Sequence, residues 1–434
     1  MFIYSCAGCG AELTAPLSRV ALPVHADQVY GNGTRLPVLM EPGTFAVDSE
    51  PSGPPWRSWE ELRPGEAAAR GLHAPVRQLS DGPPGAVLIA PGDALGAVLV
   101  PERCGGNCCG IDGTDGPNMA CGACGLPVAT RIDECSLWQV VRLAPDAVTS
   151  APSHTADGDG TDAAPLSWAE ALRQEEGTPP VEPVTLWGGD HMWSWSPRWE
   201  AAAGRALAHL LAASGGRPIT VPEGLPTEIF QRALAALLPT DPPDTEILTD
   251  PTSLMSPKGA TSPTGSTDPR ARRAVLAGPG LPVPDGGAGT APDTESDATT
   301  TSGTESAPDI LLVPTHPRTG EMWTPPNPPN PPGPAGPAGR SGPAGRSGGP
   351  YRVPLPFGVW RWLAFPEPHL PAPASGTLPG GVLRDDPPAP LAHRLFLSDA
   401  GAFEHALVRL PAARAPWLRE ILEDVRQHKH VSLF

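Results

Sequence analysis

Short apolar runs bounded by turn residues dominate the first third of the chain, at residues 20–24, 36–40, 86–90, 97–100 and 138–143. Runs of this length read as strands. The pair 86–90 and 97–100 reads as two strands joined by a loop longer than a tight hairpin turn. Beyond residue 165 the period changes: Trp199, Ala203, Ala206, Leu207 and Leu210 recur at the three-and-four spacing of one helix face. That spacing predicts a helix over 198–213, stopped by Gly215 and Gly216. A strand at 218–221, a helix at 227–238 and a strand at 246–249 follow, and such alternation predicts an α/β layer. Residues 310–313 read as a further strand, as do 353–365, with Trp360 and Trp362, and 391–397. Behind Pro416, the positions Leu418, Ile421, Leu422 and Val425 predict a C-terminal amphipathic helix.

Composition divides this pattern into pieces. The 434 residues include 61 Pro and 49 Gly, a load that marks substantial low-complexity sequence and excludes one fully compact enzyme domain. Pro and Gly concentrate at about 250–307 and 324–350, which are expected to be disordered insertions. In the second tract Gly333, Gly336, Gly339, Gly342, Gly345 and Gly348 keep a G-x-y register, read as a polyproline-like spacer. The strand at 310–313 lies between the two tracts and must return to a sheet, most simply the one begun at Ile219 and Ile247. The tracts are therefore read as insertions inside one domain. Residues 144–164 are small and polar and read as a linker. The expected organisation is an α+β multidomain protein: a cysteine-rich, β-rich module over 1–143, the linker, and an α/β domain over 165–434.

The formal net charge is −17, and the module through Arg142 has nine Arg, no Lys and 15 acids. Such a balance repels phosphate backbones, so nucleic acid is not the expected partner. Arg270, Arg272 and Arg273, the one close basic cluster, fall in an expected disordered tract. The start of the chain lacks a basic, then long apolar, leader, and no apolar run reaches the roughly 18 to 20 residues of a membrane span. A cytoplasmic protein without membrane contact, acting through protein partners, is the expectation.

All eight cysteines lie between Cys6 and Cys135. In a reducing compartment cysteines serve more often as metal ligands or redox thiols than as disulfides. Cys6-Ala-Gly-Cys9-Gly10 and Cys121-Gly-Ala-Cys124-Gly125 repeat one motif, in which two intervening residues let a tight turn present both sulfurs to one metal. The paired motif resembles the zinc-ribbon family. The resemblance covers these knuckles alone and implies a zinc shared by Cys6, Cys9, Cys121 and Cys124. The sequence between the knuckles would fold as an insertion. A redox dithiol is the alternative.

Cys104, Cys108, Cys109 and Cys135 remain and invite a second zinc, with Gly105, Gly106 and Gly110 freeing the loop that adjacent cysteines require. Three thiolates with His25 or His73, an iron–sulfur cluster, or redox thiols are alternatives. Asp112, Asp115, Asp133 and Glu134 beside them read as solvated loop acids. Elsewhere, Trp187, Trp193, Trp195 and Trp199 surround Asp190 and His191, either as an aromatic pocket with a polar handle or as a loop folded back on the first helix. His428 and His430 read as a frayed tail. The leading reading is a non-enzymatic protein holding one or two structural zincs. An enzyme with its site near Asp190 and His191 is one alternative, and a thiol sensor at Cys108 and Cys109 another.

Overall fold

The computed structural model describes residues 1–30, 34–106, 108–153, 166–186, 191–238, 271–283, 307–325, 349–366 and 398–427. The first part runs β1 (Phe2–Cys6), β2 (Ser18–Arg19), β3 (Thr34–Arg35), β4 (Thr44–Asp48), β5 (Trp56–Arg57), a helical turn α1 (Glu66–Ala69), β6 (Leu79–Ser80), β7 (Ala86–Ile89), β8 (Ala97–Leu99), β9 (Met119–Cys121), β10 (Pro127–Ile132), β11 (Val140–Leu143) and β12 (Val148–Pro152). Seven of these strands form one sheet in the order β2-β4-β7-β11-β10-β9-β8. Its centre is buried on both faces. Phe45, Val87, Ile89, Val141 and Leu143 join Tyr4, Leu13 and Leu17 in one cluster, while Ala46, Ala86, Leu88 and Val140 join Leu36, Met40 and Trp138 in another. Alternate side chains of a strand point to opposite faces, so the unbroken apolar run of β7 is what a doubly covered strand requires.

Three expectations for this part change. The strands expected at 86–90 and 97–100 form as β7 and β8, but three strands separate them in the sheet. No strand spans 20–24 or 36–40; Leu36, Leu39 and Met40 are buried in irregular chain instead. Pro23 and Pro37 remove ladder donors there, so burial alone produced the apolar pattern. The expected linker at 144–164 begins with a strand, because β12 pairs along the whole of β1, from Phe2 with Pro152 to Cys6 with Val148. Backbone pairing of an edge needs no buried side chains, and the small, exposed residues of β12 concealed it.

The second part contains α2 (Trp168–Gln174), β13 (Val181–Leu186), β14 (His191–Trp195), α3 (Pro197–Ser214), β15 (Ile219–Thr220), α4 (Arg232–Leu237), β16 (Arg272–Leu276), β17 (Ile310–Thr315), β18 (Tyr351–Pro356), α5 (Phe357–Ala364), α6 (Ala400–Arg409) and α7 (Pro416–Gln427). Strands β15 to β18 are parallel and neighbour one another in chain order. This makes the molecule a mixed α/β protein with a β-rich N-terminal region. The strand at 310–313 does return to the sheet begun at Ile219, with Ile310 and Leu312 facing the helices and Leu311 and Val313 packed with Trp323 on the other side. Helix α3 matches its predicted span and ends at Gly215, whose φ of 61° is left-handed. It is buried nearly all round rather than along one stripe, because the parallel sheet lies on one side and α6 on the other. Helix α7 begins at Pro416 and buries the four expected apolar residues.

Strand β16 lies inside the tract expected to be disordered at 250–307, carrying Arg272 and Arg273. Five residues of strand are too few to change the composition of so long a Pro- and Gly-rich stretch. The strand expected over 353–365 stops at Pro356 and becomes α5, in which Phe357, Trp360 and Leu363 recur every third residue and are buried. A helix after a parallel strand covers the sheet it has just left. The strands expected at 246–249 and 391–397 lie outside the described residues. A small sheet of order β14-β13-β3 links the two parts of the chain, with Thr185 opposite Arg35 and Leu186 opposite Thr34.

Candidate metal centres

The two knuckles are built bond for bond alike. Cys6 closes β1 and Cys121 closes β9. The N–H of Gly10 donates to the carbonyl of Cys6, and that of Gly125 to the carbonyl of Cys121, both at 2.8 Å. Gly10 and Gly125 have φ of 76° and 75°, a left-handed conformation that glycine adopts without steric cost. The chain then returns in each case, with Cys6 N–H bonded to Ala11 O and Cys121 N–H to Leu126 O, again at 2.8 Å.

Backbone pairing brings the knuckles together. Leu95 and Gly96 both donate to the carbonyl of Leu13, just past the first knuckle, and Gly122 donates to Gly96. Strand β8 then pairs with β9, Ala97 opposite Cys121. The result places Cys6 Sγ 3.6 Å from Cys124 Sγ and Cys9 Sγ 3.7 Å from Cys121 Sγ. All four sulfurs lie within 4.8 Å of one another. With zinc–sulfur bonds of about 2.3 Å, a tetrahedral site sets its sulfurs about 3.8 Å apart. Two of the separations match that value, and the cluster could hold a metal ion.

Its electrostatics show what such a cation would relieve. Backbone N–H groups of Ala123 and Cys124 pull the Cys121 thiol down to about 7. At Cys9 the hydrogen bond with the Ala11 backbone lowers the pKa, but the Cys124, Cys121 and Cys6 sulfurs and desolvation outweigh it and push the thiol up to about 12. One sulfur ionises readily while its neighbour holds its proton, as expected where four sulfurs crowd with no positive charge between them. Cys6 and Cys121 are each only 1% exposed and belong to the core cluster on one face of the seven-stranded sheet.

The second cluster comprises Cys108, Cys109, Glu134 and Cys135, again with ligand atoms within 4.8 Å of one another. Three of the four expected cysteines are present, but Glu134 stands where Cys104 was expected. The Cys104 thiol lies against the carbonyl of Val100, 3.2 Å away. Cys108 Sγ is 3.5 Å from Cys135 Sγ, and Glu134 Oε1 is 3.2 Å from Cys109 Sγ and 3.6 Å from Cys135 Sγ. Glu134 was expected to be a solvated loop acid. It is buried, and its two oxygens accept from the N–H groups of Cys109 and Gly110 at 2.9 and 3.1 Å. Burial raises its pKa, but these bonds and those to the Cys109 and Cys135 thiols prevail, leaving it below the usual carboxylate value. The Cys109 thiol is pushed up to about 12, first by desolvation and then by Cys135, and Cys108 is raised chiefly by Cys135.

The segment 108–111 reaches the chain between β10 and β11 through a bridge between Ile111 and Asp133. The approach is too close for side chains: a Cβ on Gly110 would lie 2.0 Å from Asp133 O, and one on Gly106 1.8 Å from Gly110 O. The clue to Glu134 in the sequence was its place directly before Cys135. A carboxylate beside a cysteine has no periodic signature, and only the loop's return reveals it.

The remaining candidates lie apart from both clusters. His25 is half-buried against the Trp138 ring, 4.3 Å between centroids, and the pKa of its imidazole is driven down to about 3 by desolvation and by the charge of Arg198. The backbone N–H of His73 donates to Val408 O. Trp195 and Trp199 pack against each other in the core, each 1% exposed. His191 belongs to strand β14, while Trp187, Asp190, His428 and His430 lie outside the described residues. Two neighbouring cavities of about 290 and 340 Å³ share Arg35, Leu36 and Gln139. The first extends along β13, and the second is lined by Cys109, Glu134 and Cys135. Among the described residues no helix is long and apolar enough to cross a membrane. No protein-family model, curated protein or solved structure matches this chain, so the two clusters are understood from their own geometry.

Proposed function

We propose that this is a non-enzymatic zinc-binding protein whose β-rich N-terminal part is organised by a structural zinc on Cys6, Cys9, Cys121 and Cys124, and that it acts through a protein partner. The sulfur spacing carries the zinc reading: four cysteine sulfurs within 4.8 Å of one another, two pairs of them at 3.6 and 3.7 Å, delivered by two equivalent knuckles 112 residues apart. Zinc suits such a set because it accepts tetrahedral sulfur without redox chemistry. Four protein sulfurs fill its coordination sphere and leave no position for water, so the ion's role is to hold the chain. The partner reading draws support from β8, an outer strand of the seven-stranded sheet beside the second knuckle, where Leu95, Val98 and Leu99 are 70%, 56% and 42% exposed. An apolar sheet edge is a surface to which another polypeptide adds a strand.

The test of the zinc is elemental analysis of purified protein and of a Cys6→Ser variant. Loss of one equivalent with the substitution is expected, and an unchanged metal content refutes the site. For the partner, a photocrosslinking residue placed at Val98 is expected to capture one polypeptide in cells, with capture abolished by Leu99→Lys. Equal capture from an exposed position on α7 refutes the edge as the docking surface.

A further inference from the structure

We propose that Cys108, Cys109, Glu134 and Cys135 form a second metal site of a different kind from the first: an exchangeable site for a thiophilic divalent cation, loaded through the adjoining cleft. This inference is independent of the zinc at the knuckles.

The ligand atoms support a metal of the same size. A tetrahedral ion with one oxygen and three sulfur ligands sets oxygen and sulfur about 3.6 Å apart and sulfurs about 3.8 Å apart. The observed Glu134–Cys135 separation is 3.6 Å and the Cys108–Cys135 separation 3.5 Å, while Glu134 and Cys109, at 3.2 Å, would open by a few tenths of an ångström on binding. Binding would form three metal–sulfur bonds and one metal–oxygen bond, with the thiol protons passing to solvent.

Two features make this ion exchangeable. First, the carboxylate is a weaker partner for a thiophilic ion than a fourth thiolate, and its oxygens are already engaged by the N–H groups of Cys109 and Gly110. Glu134 can therefore release the metal without being left unsatisfied in its buried position. Second, Cys109, Glu134 and Cys135 line a cavity of about 340 Å³, ample for water or a small chelator to reach the ion. Each cluster has two exposed cysteines, Cys9 and Cys124 in the first and Cys108 and Cys109 in the second, so the carboxylate ligand and the adjoining cleft are what set the second site apart.

Charge decides between exchange and catalysis on an anionic substrate. Three thiolates and one carboxylate carry four negative charges, so two remain after a divalent ion binds. Asp133 adds another at the cleft wall, offset by Arg131, which pairs with it at 3.0 Å, and Arg35 on the same wall cancels one of the two, so the cleft stays net negative. Such a field attracts cations and repels anions. Seating also has a structural consequence, because Ser136, next to Cys135, donates to Thr34 O at the start of β3. Strand β3 in turn pairs with β13. Occupancy of the site therefore bears on the link between the two parts of the chain.

The experiment follows zinc release from the zinc-loaded full-length protein on addition of a chelator, with alkylation of each cysteine read by peptide mass spectrometry. Two zincs per chain are expected. The first to leave should depart at least tenfold faster and expose Cys108, Cys109 and Cys135, while Cys6, Cys9, Cys121 and Cys124 remain protected. Cys104 should be alkylated at the same rate with or without metal. Glu134→Gln should speed the fast step or abolish that equivalent, leaving the slow one unchanged. One zinc per chain, with Cys108, Cys109 and Cys135 alkylated in excess zinc, overturns the second site and leaves the first standing. Loss of both ions at one rate overturns exchangeability. Exposure of the knuckle cysteines first overturns the proposed order and also speaks against a structural zinc at the knuckles. Because alkylation is read on the unmodified sequence, the result stands even if the variant fails to fold.

Discussion

Removing the knuckle zinc should loosen β1 and β9 by about a thousandfold while leaving the parallel sheet untouched. Cys9 and Cys121 are 112 residues apart in the chain, and a cross-link of that span removes about 4.8 kcal/mol of conformational entropy from the unfolded state. If the ion instead leaves on unfolding, zinc at a thousandfold over its dissociation constant stabilises the folded form by about 4.1 kcal/mol. Both routes give 4 to 5 kcal/mol as rough magnitudes, equivalent to about three powers of ten. The assay is native-state hydrogen exchange with zinc and after full chelation. The amides to follow are Cys6, bonded to Ala11 O, and Cys121, bonded to Leu126 O, with those of β17 as the internal reference. A fall in protection of about a thousandfold at the knuckles, with β17 unchanged, is expected. A change below about tenfold, or an equal change in β17, would refute the view that the ion clamps this part of the fold.

Three further outcomes follow from individual residues. The unfolded chain protonates His25 near its ordinary value of 6.5, whereas the folded protein resists protonation until about 3; stability due to this group is therefore present above 6.5 and falls by about 1.4 kcal/mol per pH unit as pH drops through that window. Denaturant melts from pH 7 to 4 should show this slope, and His25→Phe should reduce it by one proton's worth. Gly278→Ala would put a Cβ 2.1 Å from the Trp360 ring, an indole with 0% exposure, and overpacking of this sort costs about 1 to 3 kcal/mol; a thermal melt matching the parent would contradict the packing described. Gly110→Ala would drive its Cβ into Asp133 O, so elemental analysis should show the second metal lost and the first retained.

The sequence by itself determined the features whose signal is local and repeated. The helix at Trp199, Ala203, Ala206 and Leu210 and the C-terminal helix through Leu418 and Val425 were legible because a buried helix face repeats every three or four residues. The knuckles were legible because two thiolates on one metal demand a two-residue spacer and a permissive glycine, a requirement met twice. Strand β17 was legible as an apolar run between tracts that could not bury it.

Tertiary structure decided whatever depended on a distant partner. Strand β12, Val-Thr-Ser-Ala-Pro, buries almost no side chain, and it is a strand because β1 offers its backbone. Residues 357–364 are a helix because β18 must be covered, although Trp360-Arg361-Trp362 locally alternates like a strand. The same holds at the second cluster, where three cysteines were foreseen and the fourth position was not. Glu134 reaches it because Gly110 lets the segment 108–111 close against Asp133, which places two N–H groups on a carboxylate that neither periodicity nor spacing distinguishes from a solvated acid. Local spacing specifies ligands that share one turn, whereas a ligand brought by a second segment is fixed only when the sheet sets how closely those segments approach.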